Sequence, residues 1–161
     1  MDIGRLRAET PGCEQVVHLN NAGAALPPKQ VIDAVAEHLG LEATIGGYEA
    51  SDQAEPARER FYDAVAGLIG AERDEIAYVE NATRAWDMAF YSIPFAPGDR
   101  ILTTTSEYPS NAIPYMQMAR RRGVEVDVVP DDEHGQISLD ALQAELDKGG
   151  VRLVSLNHVP T

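Results

Sequence analysis

Blocks of apolar and polar residues follow one another along the chain. From residue 76 onward, short apolar runs alternate with longer segments of mixed composition. Apolar runs of about four to eight residues are typical of buried strands, and the longer segments between them carry apolar residues at helical spacing. The alternation predicts an α/β fold, a three-layer α/β/α sandwich around a mostly parallel sheet. The predicted strands are, in chain order, Ile76–Val79, Arg100–Thr105, Val124–Val129 and Arg152–Val159.

The chain before residue 76 has a different pattern. Residues 1–25 are predicted to form an N-terminal arm, with a short helix before Pro11 and a strand at Val16–Leu19. Residues 26–161 are predicted to form a domain that follows this arm.

Two helices are predicted at the start of that domain. Pro27-Pro28 begins a helix that runs to about Ala43, because proline suits the first turn, where its missing N–H costs nothing. A second helix is expected to follow Pro56 and to stop at Gly70.

Charge and composition exclude several classes of partner. The net charge of −13 and pI near 4.6 argue against nucleic acid, whose phosphates require a basic face. The only basic run, Arg120-Arg121-Arg122, ends a predicted helix, where cations suit the helix dipole and Gly123 can follow. No segment has the length and apolarity of a membrane span or signal peptide, so a cytoplasmic location is expected. The four histidines and the single cysteine, Cys13, lack metal-ligand spacing, so no metal site is predicted.

A candidate phosphate site lies at Asn81-Ala82-Thr83-Arg84, between an apolar run and a segment with helical periodicity. The first N–H groups of a helix lack intrahelical partners, and the helix dipole favours an anion there. Ala82 is small enough to let a phosphate approach, and the Thr83 hydroxyl offers a further donor. An ordinary helix cap is the alternative for the same residues.

Two more strand ends carry polar or aromatic groups. Tyr108 follows the strand predicted at Arg100–Thr105, and Thr161 follows the one at Arg152–Val159. Ligands of open α/β sheets bind in the crevice outside the carboxyl ends of the strands, so we expect one shared cleft. Taken singly, either residue is better explained as a turn residue.

Five stretches together resemble a known family. They are, in chain order, His18 to Ala25 (HLNNAGAA), Asn81-Ala82-Thr83, Glu107-Tyr108, Asp131 to Leu142 (DDEHGQISLDAL) and Asn157 to Thr161 (NHVPT). In this combination the chain resembles the class V aminotransferase superfamily of pyridoxal-phosphate enzymes, which includes cysteine desulfurases, cysteine lyases and isopenicillin N epimerase-like proteins. The resemblance implies the type I fold of pyridoxal-phosphate-dependent transferases, with residues 1–25 contributing to the small domain and residues 26–161 opening the cofactor-binding large domain.

The resemblance also implies roles for individual residues. Ala82 and Thr83 would bind the phosphate of pyridoxal 5′-phosphate, and Tyr108 would stack on the cofactor ring, where many members have histidine. Thr161 falls where desulfurases have an asparagine that bonds the cofactor's phenolic oxygen. The substrate, an amino acid, would place its carboxylate near a turn made by Asn21, Ala22 and Gly23.

The family's Schiff-base lysine has no counterpart in this sequence. The only lysines, Lys29 and Lys148, lie outside the family's lysine context, so no catalytic residue is assigned. In the family the first large-domain strand pairs with the last, so Ile76–Val79 would lack its neighbour. We therefore expect an N-terminal part or subunit of such an enzyme, completed by a second polypeptide or present in a homo-oligomeric, possibly swapped, assembly.

The reaction type stays open among transamination, racemisation or epimerisation, and C–S cleavage. The turn at Gly46-Gly47-Tyr48 and the HVPT loop favour the lyase- and epimerase-like members. A non-catalytic interaction module and a truncated gene product that retains the first half of the fold are the alternatives.

Overall fold

The computed structural model describes residues 1–158, and the chain forms two compact units, Met1–Tyr78 and Val79–Thr161. We call them unit 1 and unit 2. The sequence analysis divides the chain after residue 25, between an N-terminal arm and a domain. The two compact units do not test that division, so it stays a prediction.

Unit 1 is helical. Its helices are α1 (Ile3–Ala8), α2 (Lys29–Ile45) and α3 (Gly47–Ile69), with short 3₁₀ turns at Pro11–Glu14 and Arg73–Glu75. Gly46 is the only residue between α2 and α3, and its φ of +95° is a conformation that favours glycine. The two long helices pack against each other. The predicted helix before Pro11 and the predicted helix after Pro28 are both confirmed.

Two predictions for unit 1 are wrong. Helix α3 begins at Gly47 and carries Pro56 in its interior, whereas the sequence pattern placed its start after that proline. Proline removes a single intrahelical hydrogen bond, and the turns on either side can continue the helix through it. Val16–Leu19 does not form a strand in the structure, because a strand requires a hydrogen-bonded neighbour.

The first predicted sheet strand, Ile76–Val79, is not part of any sheet within residues 1–158. The backbone at Ile76 is extended, with φ −98° and ψ 128°, and the ring of Tyr78 packs edge-on against Phe61 at 5.2 Å. The run therefore begins in an extended conformation, and no neighbouring strand within residues 1–158 pairs with it. The prediction of four strands is corrected to three, in keeping with the expectation that this run lacks its neighbour.

Unit 2 alternates helices and strands. Its elements are α4 (Ala82–Tyr91), β1 (Arg100–Thr104), α5 (Pro109–Arg122), β2 (Glu125–Val129), α6 (Leu139–Asp147) and β3 (Val151–Val154). The three strands form a parallel sheet in the order β2-β1-β3. The second to fourth predicted strands are thus confirmed, but β3 ends at Val154, whereas the prediction extended to Val159, which lies outside the described residues. Gly123, in the left-handed conformation with φ +68°, ends α5 as predicted.

Helices cover both faces of this sheet. Ile101 of β1 packs with Phe90 of α4 and Tyr115 of α5 in the main apolar core. Arg100, one residue earlier and therefore on the opposite face, bonds Glu145 of α6. The arrangement is the predicted three-layer α/β/α sandwich.

Arg100 fastens α6 to the sheet. Its guanidinium donates to Asp127 of β2 at 2.8 Å, to the Glu145 carboxylate at 2.5 Å, and to the carbonyl of Gly149 at 3.1 Å. The ammonium group of Lys148, followed by the Arg100 guanidinium, holds the pKa of Glu145 below its ordinary value. These contacts lie at the amino end of β1, away from the ends that carry the candidate site.

Candidate functional site

The strand order of unit 2 reverses at β1. The chain leaves β1 for the neighbour on one side, β2, and then crosses to β3 on the other side. In open α/β sheets the crevice outside the carboxyl ends of the strands at such a reversal is where ligands bind. Here that crevice is bordered by the segments after β1 and β3, which Asn157 joins by donating to the carbonyl of Ser106 at 3.4 Å.

Helix α4 begins next to this crevice at Ala82. The side chain of Asn81 caps the helix by accepting the N–H of Arg84 at 2.9 Å, and the Asn81 carbonyl accepts the N–H of Ala85. Within the described residues, the N–H groups of Ala82 and Thr83 have no protein acceptor. The predicted helix start is confirmed, and its Asn81 side chain acts as a cap without occupying the N–H groups proposed for phosphate.

The amino end of helix α5 meets that of α4. Thr83, in the first turn of α4, places its hydroxyl 3.4 Å from the hydroxyl of Ser110, the second residue of α5. Pro109 begins α5, where a residue without an N–H loses nothing. Two helix amino ends and two hydroxyl groups thus converge, and such a donor set suits the phosphate group of a cofactor.

Ser110 is a site residue that sequence reasoning missed. The signal was its place directly after Pro109, the proline that begins a helix in the segment following β1. Its proximity to Thr83, 27 positions earlier, follows only from the packing of α4 against α5.

Tyr108 occupies the N-cap position of α5, at the carboxyl end of β1 as expected. Its side chain is 47% exposed, and no other aromatic ring stacks on it within residues 1–158. The ring is therefore free to contact a ligand. Its backbone N–H donates to the Glu107 carboxylate at 2.8 Å.

Glu107 lies at the centre of a polar network that sequence reasoning also missed. Its carboxylate lies 3.1 Å from both the Thr103 hydroxyl and the Tyr115 hydroxyl, and 3.0 Å from the Asn111 amide nitrogen. Tyr115 also reaches Ser155, just after β3, at 2.6 Å. Burial is the main cause that raises the pKa of Tyr115 to about 12, so the phenol stays protonated at neutral pH.

The substrate turn predicted at Asn21, Ala22 and Gly23 belongs to unit 1. It is a turn in the structure, in which the Asn20 side chain accepts the Gly23 N–H at 3.1 Å and the Asn20 carbonyl accepts the Ala24 N–H. Their predicted place near the substrate carboxylate stays a prediction. Thr161 lies outside the described residues.

Both lysines are engaged on helix surfaces. Lys29 pairs with Asp33 in α2 at 2.5 Å, and Lys148 pairs with Glu145 at the end of α6 at 2.6 Å. Across residues 1–158 no group of three or more potential metal ligands occurs, and no helix in that range is both long and apolar enough to cross a membrane.

Comparison with known proteins places the chain in a family. The family model described as "Aminotransferase class-V" matches residues 17–161. A probable cysteine desulfurase of Pyrococcus abyssi is 31% identical over 96% of this chain and 39% of its own length. Probable cysteine desulfurase 2 of Mycobacterium leprae is 31% identical over 98% of this chain and 41% of its own. The chain thus spans about two fifths of the length of the curated relatives it matches.

Solved structures agree on the fold. The apo cysteine desulfurase of Thermococcus onnurineus NA1 has a TM-score of 0.82 and 25% identity, over 99% of this chain and 40% of that one. A variant of C-DES, with glycine covalently linked to its pyridoxal-phosphate cofactor, has a TM-score of 0.83 and 22% identity, over 96% of this chain and 41% of that one. The predicted fold class is therefore confirmed over the amino-terminal part of these enzymes.

Proposed function

Since the chain belongs to the class V aminotransferase family, we propose that it supplies part of a pyridoxal-phosphate enzyme that acts on an amino acid. This part would bind the phosphate of the cofactor and stack on the cofactor ring. One solved structural relative carries pyridoxal phosphate. The observation that carries the proposal is the convergence of α4 and α5, with the hydroxyl groups of Thr83 and Ser110 3.4 Å apart. The cofactor, when bound, supplies an electron sink for bond breaking at the amino acid.

The chain's own residues would bind and orient that cofactor. The N–H groups of Ala82 and Thr83 and the Thr83 hydroxyl would donate to the phosphate, with the positive end of the α4 dipole behind them. The exposed ring of Tyr108 would lie against the pyridine face. Because Tyr108 has a phenol where many family members have the imidazole of histidine, we assign this residue stacking and no proton transfer.

The remaining predicted contacts belong to the same proposal. Thr161 would approach the phenolic oxygen of the cofactor, and Asn21, Ala22 and Gly23 would lie near the substrate carboxylate. The lysine that binds the cofactor covalently would come from a further segment, in the same polypeptide or in a second one. The homo-oligomeric state and the cytoplasmic location stay predictions.

We further propose cysteine or a related sulfur amino acid as the substrate class, with C–S cleavage as the reaction. The support is that the relatives reported above are described as cysteine desulfurases. A solved structural relative is described as a cystine C–S lyase in complex with cysteine persulfide. Transamination and epimerisation remain the alternatives within the family.

The test is a titration of the full chain with pyridoxamine 5′-phosphate, which has the phosphate and ring but no aldehyde to react with lysines. Trp86, the chain's only tryptophan, lies one helical turn from Thr83, so its fluorescence should be quenched by the bound ring. Pyridoxamine without the phosphate should bind at least about tenfold more weakly, because it loses charge-assisted hydrogen bonds.

Variants locate the binding site. Thr83→Ala and Ser110→Ala should each weaken pyridoxamine phosphate binding by up to about tenfold. Thr44→Ala is the matched control, since this exposed hydroxyl bonds only carbonyls of its own helix. Equal binding of the phosphorylated and unphosphorylated probes, or no effect of Thr83→Ala, would contradict the proposal and favour a non-catalytic interaction module.

A further inference from the structure

The carboxylate of Glu107 gathers more donors than any other side chain in the crevice. Oε1 accepts the Tyr108 backbone N–H at 2.8 Å and the Asn111 amide at 3.0 Å. Oε2 lies 3.1 Å from the Thr103 hydroxyl and 3.1 Å from the Tyr115 hydroxyl. One partly buried side chain thus joins the end of β1 to the first two turns of α5.

The same network reaches β3 through Tyr115. Its hydroxyl lies 2.6 Å from the Ser155 hydroxyl, and its residue is only 1% exposed. A phenol has one proton, and a carboxylate can only accept, so the consistent order of donation runs from Ser155 to Tyr115 to Glu107. Ser155 is in turn held by its N–H, which donates to the Leu102 carbonyl of β1 at 2.9 Å. Glu107 therefore connects the carboxyl ends of both strands that border the crevice.

We propose that Glu107 is a positioning residue, which fixes Tyr108 at the crevice by holding its backbone N–H and by tying it to β1, α5 and β3. The role of Tyr108 in contacting a cofactor ring rests on the proposed function. The hydrogen bonds of Glu107 that position Tyr108 do not depend on that function. Within residues 1–158 no aromatic ring packs on the exposed ring of Tyr108. Its carbonyl accepts the N–H groups of Asn111 and Ala112, as the start of α5 requires, and Glu107 holds its N–H.

The donor pattern distinguishes two substitutions of similar size. Glutamine at position 107 can keep its carbonyl oxygen toward the Tyr108 N–H and Asn111, the two partners that can only donate there. Its amide nitrogen then faces the hydroxyls of Thr103 and Tyr115, which can accept. Leucine can accept from none of the four. Glu107→Gln should therefore preserve the network, and Glu107→Leu should abolish it.

The first measurement needs no ligand. Amide hydrogen exchange of the full chain can be followed by NMR. In Glu107→Gln the exchange rate of the Tyr108 N–H should stay within about threefold of the wild-type rate. In Glu107→Leu it should be about tenfold faster, because one hydrogen bond is lost. The control amide is that of Glu125, which bonds the Asp99 carbonyl at 2.9 Å at the far end of the sheet. Its exchange should not change.

Thr103→Val keeps the proposal testable if Glu107→Leu does not fold. It removes one donor to Glu107 Oε2 at nearly constant volume, and Tyr108 exchange should rise severalfold with the Glu125 amide unchanged. Parallel acceleration at Tyr108 and Glu125 would reduce Glu107 to a general stabilising role and overturn the proposal. Unchanged Tyr108 exchange in both Glu107→Leu and Thr103→Val would overturn it as well.

The second measurement uses ligands. Inorganic phosphate affinity should stay within about twofold in Glu107→Leu, because Thr83 and Ser110 are untouched. Pyridoxamine phosphate should lose about tenfold in affinity together with its induced circular dichroism, which reports a fixed ring, and Glu107→Gln should restore both. If wild type binds no pyridoxamine phosphate, the proposed function fails, while the exchange measurement still decides the role of Glu107. Equal loss of phosphate affinity would instead overturn the positioning role.

Discussion

The two units of this chain use their apolar residues in different ways. Unit 2 buries large side chains, of which Phe90 is 1% exposed and Ile101 fully buried. In unit 1, which the structure describes throughout, the buried apolar residues are two alanines, Ala50 and Ala66. Its helix α2 instead exposes an apolar stripe, consisting of Val31, Ile32, Val35 and Leu39, each more than 40% exposed.

The difference shows that forming a helix and burying its apolar face are two separate properties, although one sequence pattern indicates both. Apolar residues at helical spacing predict the helix in both units, because the period is a property of the segment itself. Whether that face becomes a core depends on a second surface, which in unit 2 is the sheet. Large apolar side chains contribute most when fully removed from water, so unit 2 should be the more stable unit. The predictions below test that ranking.

The largest effect is expected from the core of unit 2. Phe90→Ala should lower the free energy of unfolding by about 3–5 kcal/mol, because it leaves a cavity among Ile101, Tyr115 and Val124. Leu39→Ala in the exposed stripe, the comparison variant, should cost about 0.5 kcal/mol or less. Urea unfolding followed by Trp86 fluorescence reports unit 2, and far-UV circular dichroism adds the helices of unit 1. Similar losses for both variants would refute the ranking.

The next effect concerns the polar network inside unit 2. Tyr115→Phe should cost about 1–3 kcal/mol, because it leaves Ser155 and Glu107 each short of a buried partner. The folded protein keeps the phenol protonated up to a pKa of about 12, whereas the unfolded chain ionises near 10. Wild type should therefore lose stability as the pH rises from 10 toward 12, in addition to any loss shared with the variant. Parallel pH profiles of the two proteins would contradict this.

A smaller effect concerns the helix starts, since each unit has helices that begin with a side-chain cap and helices that begin without one. Asn81 and Ser138 cap α4 and α6 with their side chains, whereas α2 and α3 start without such a bond. Asn81→Ala should cost about 1 kcal/mol in urea unfolding. Pro28→Ser, which introduces a capping hydroxyl at the start of α2, should stabilise unit 1 by a similar or smaller amount, measured by circular dichroism. No change from Asn81→Ala would mean that water replaces the cap.

The sequence predicted most of unit 2 and less of unit 1. Three of the four predicted strands and the start of α4 at Ala82 follow from local period and capping residues. Ile76–Val79 has the composition of a strand, but strand formation depends on a neighbour that composition does not supply. The local pattern predicts a helix start after Pro56, although a long helix can pass through one proline.

The candidate site shows the same limit. The sequence predicts Ala82, Thr83 and Tyr108 as site residues because each sits at the end of a predicted element. Ser110 and Glu107 were missed because their partners lie on other elements, as with Thr83 for Ser110 and Tyr115 for Glu107. Contacts between elements need the packing of α4, α5 and β1, which no local pattern specifies.

The smallest stability effect is expected in the exposed stripe, where it is also the most informative. Val35 is 57% exposed, so Val35→Glu should change the free energy of unfolding by no more than about 0.5 kcal/mol. It should also reduce concentration-dependent self-association, measured by sedimentation velocity, because contiguous exposed apolar residues favour association. Ala34→Glu, which adds the same charge on α2 outside the stripe, should leave self-association unchanged. A loss of several kcal/mol from Val35→Glu would show that the stripe is covered within the chain in solution, and the contrast between the two units would no longer hold.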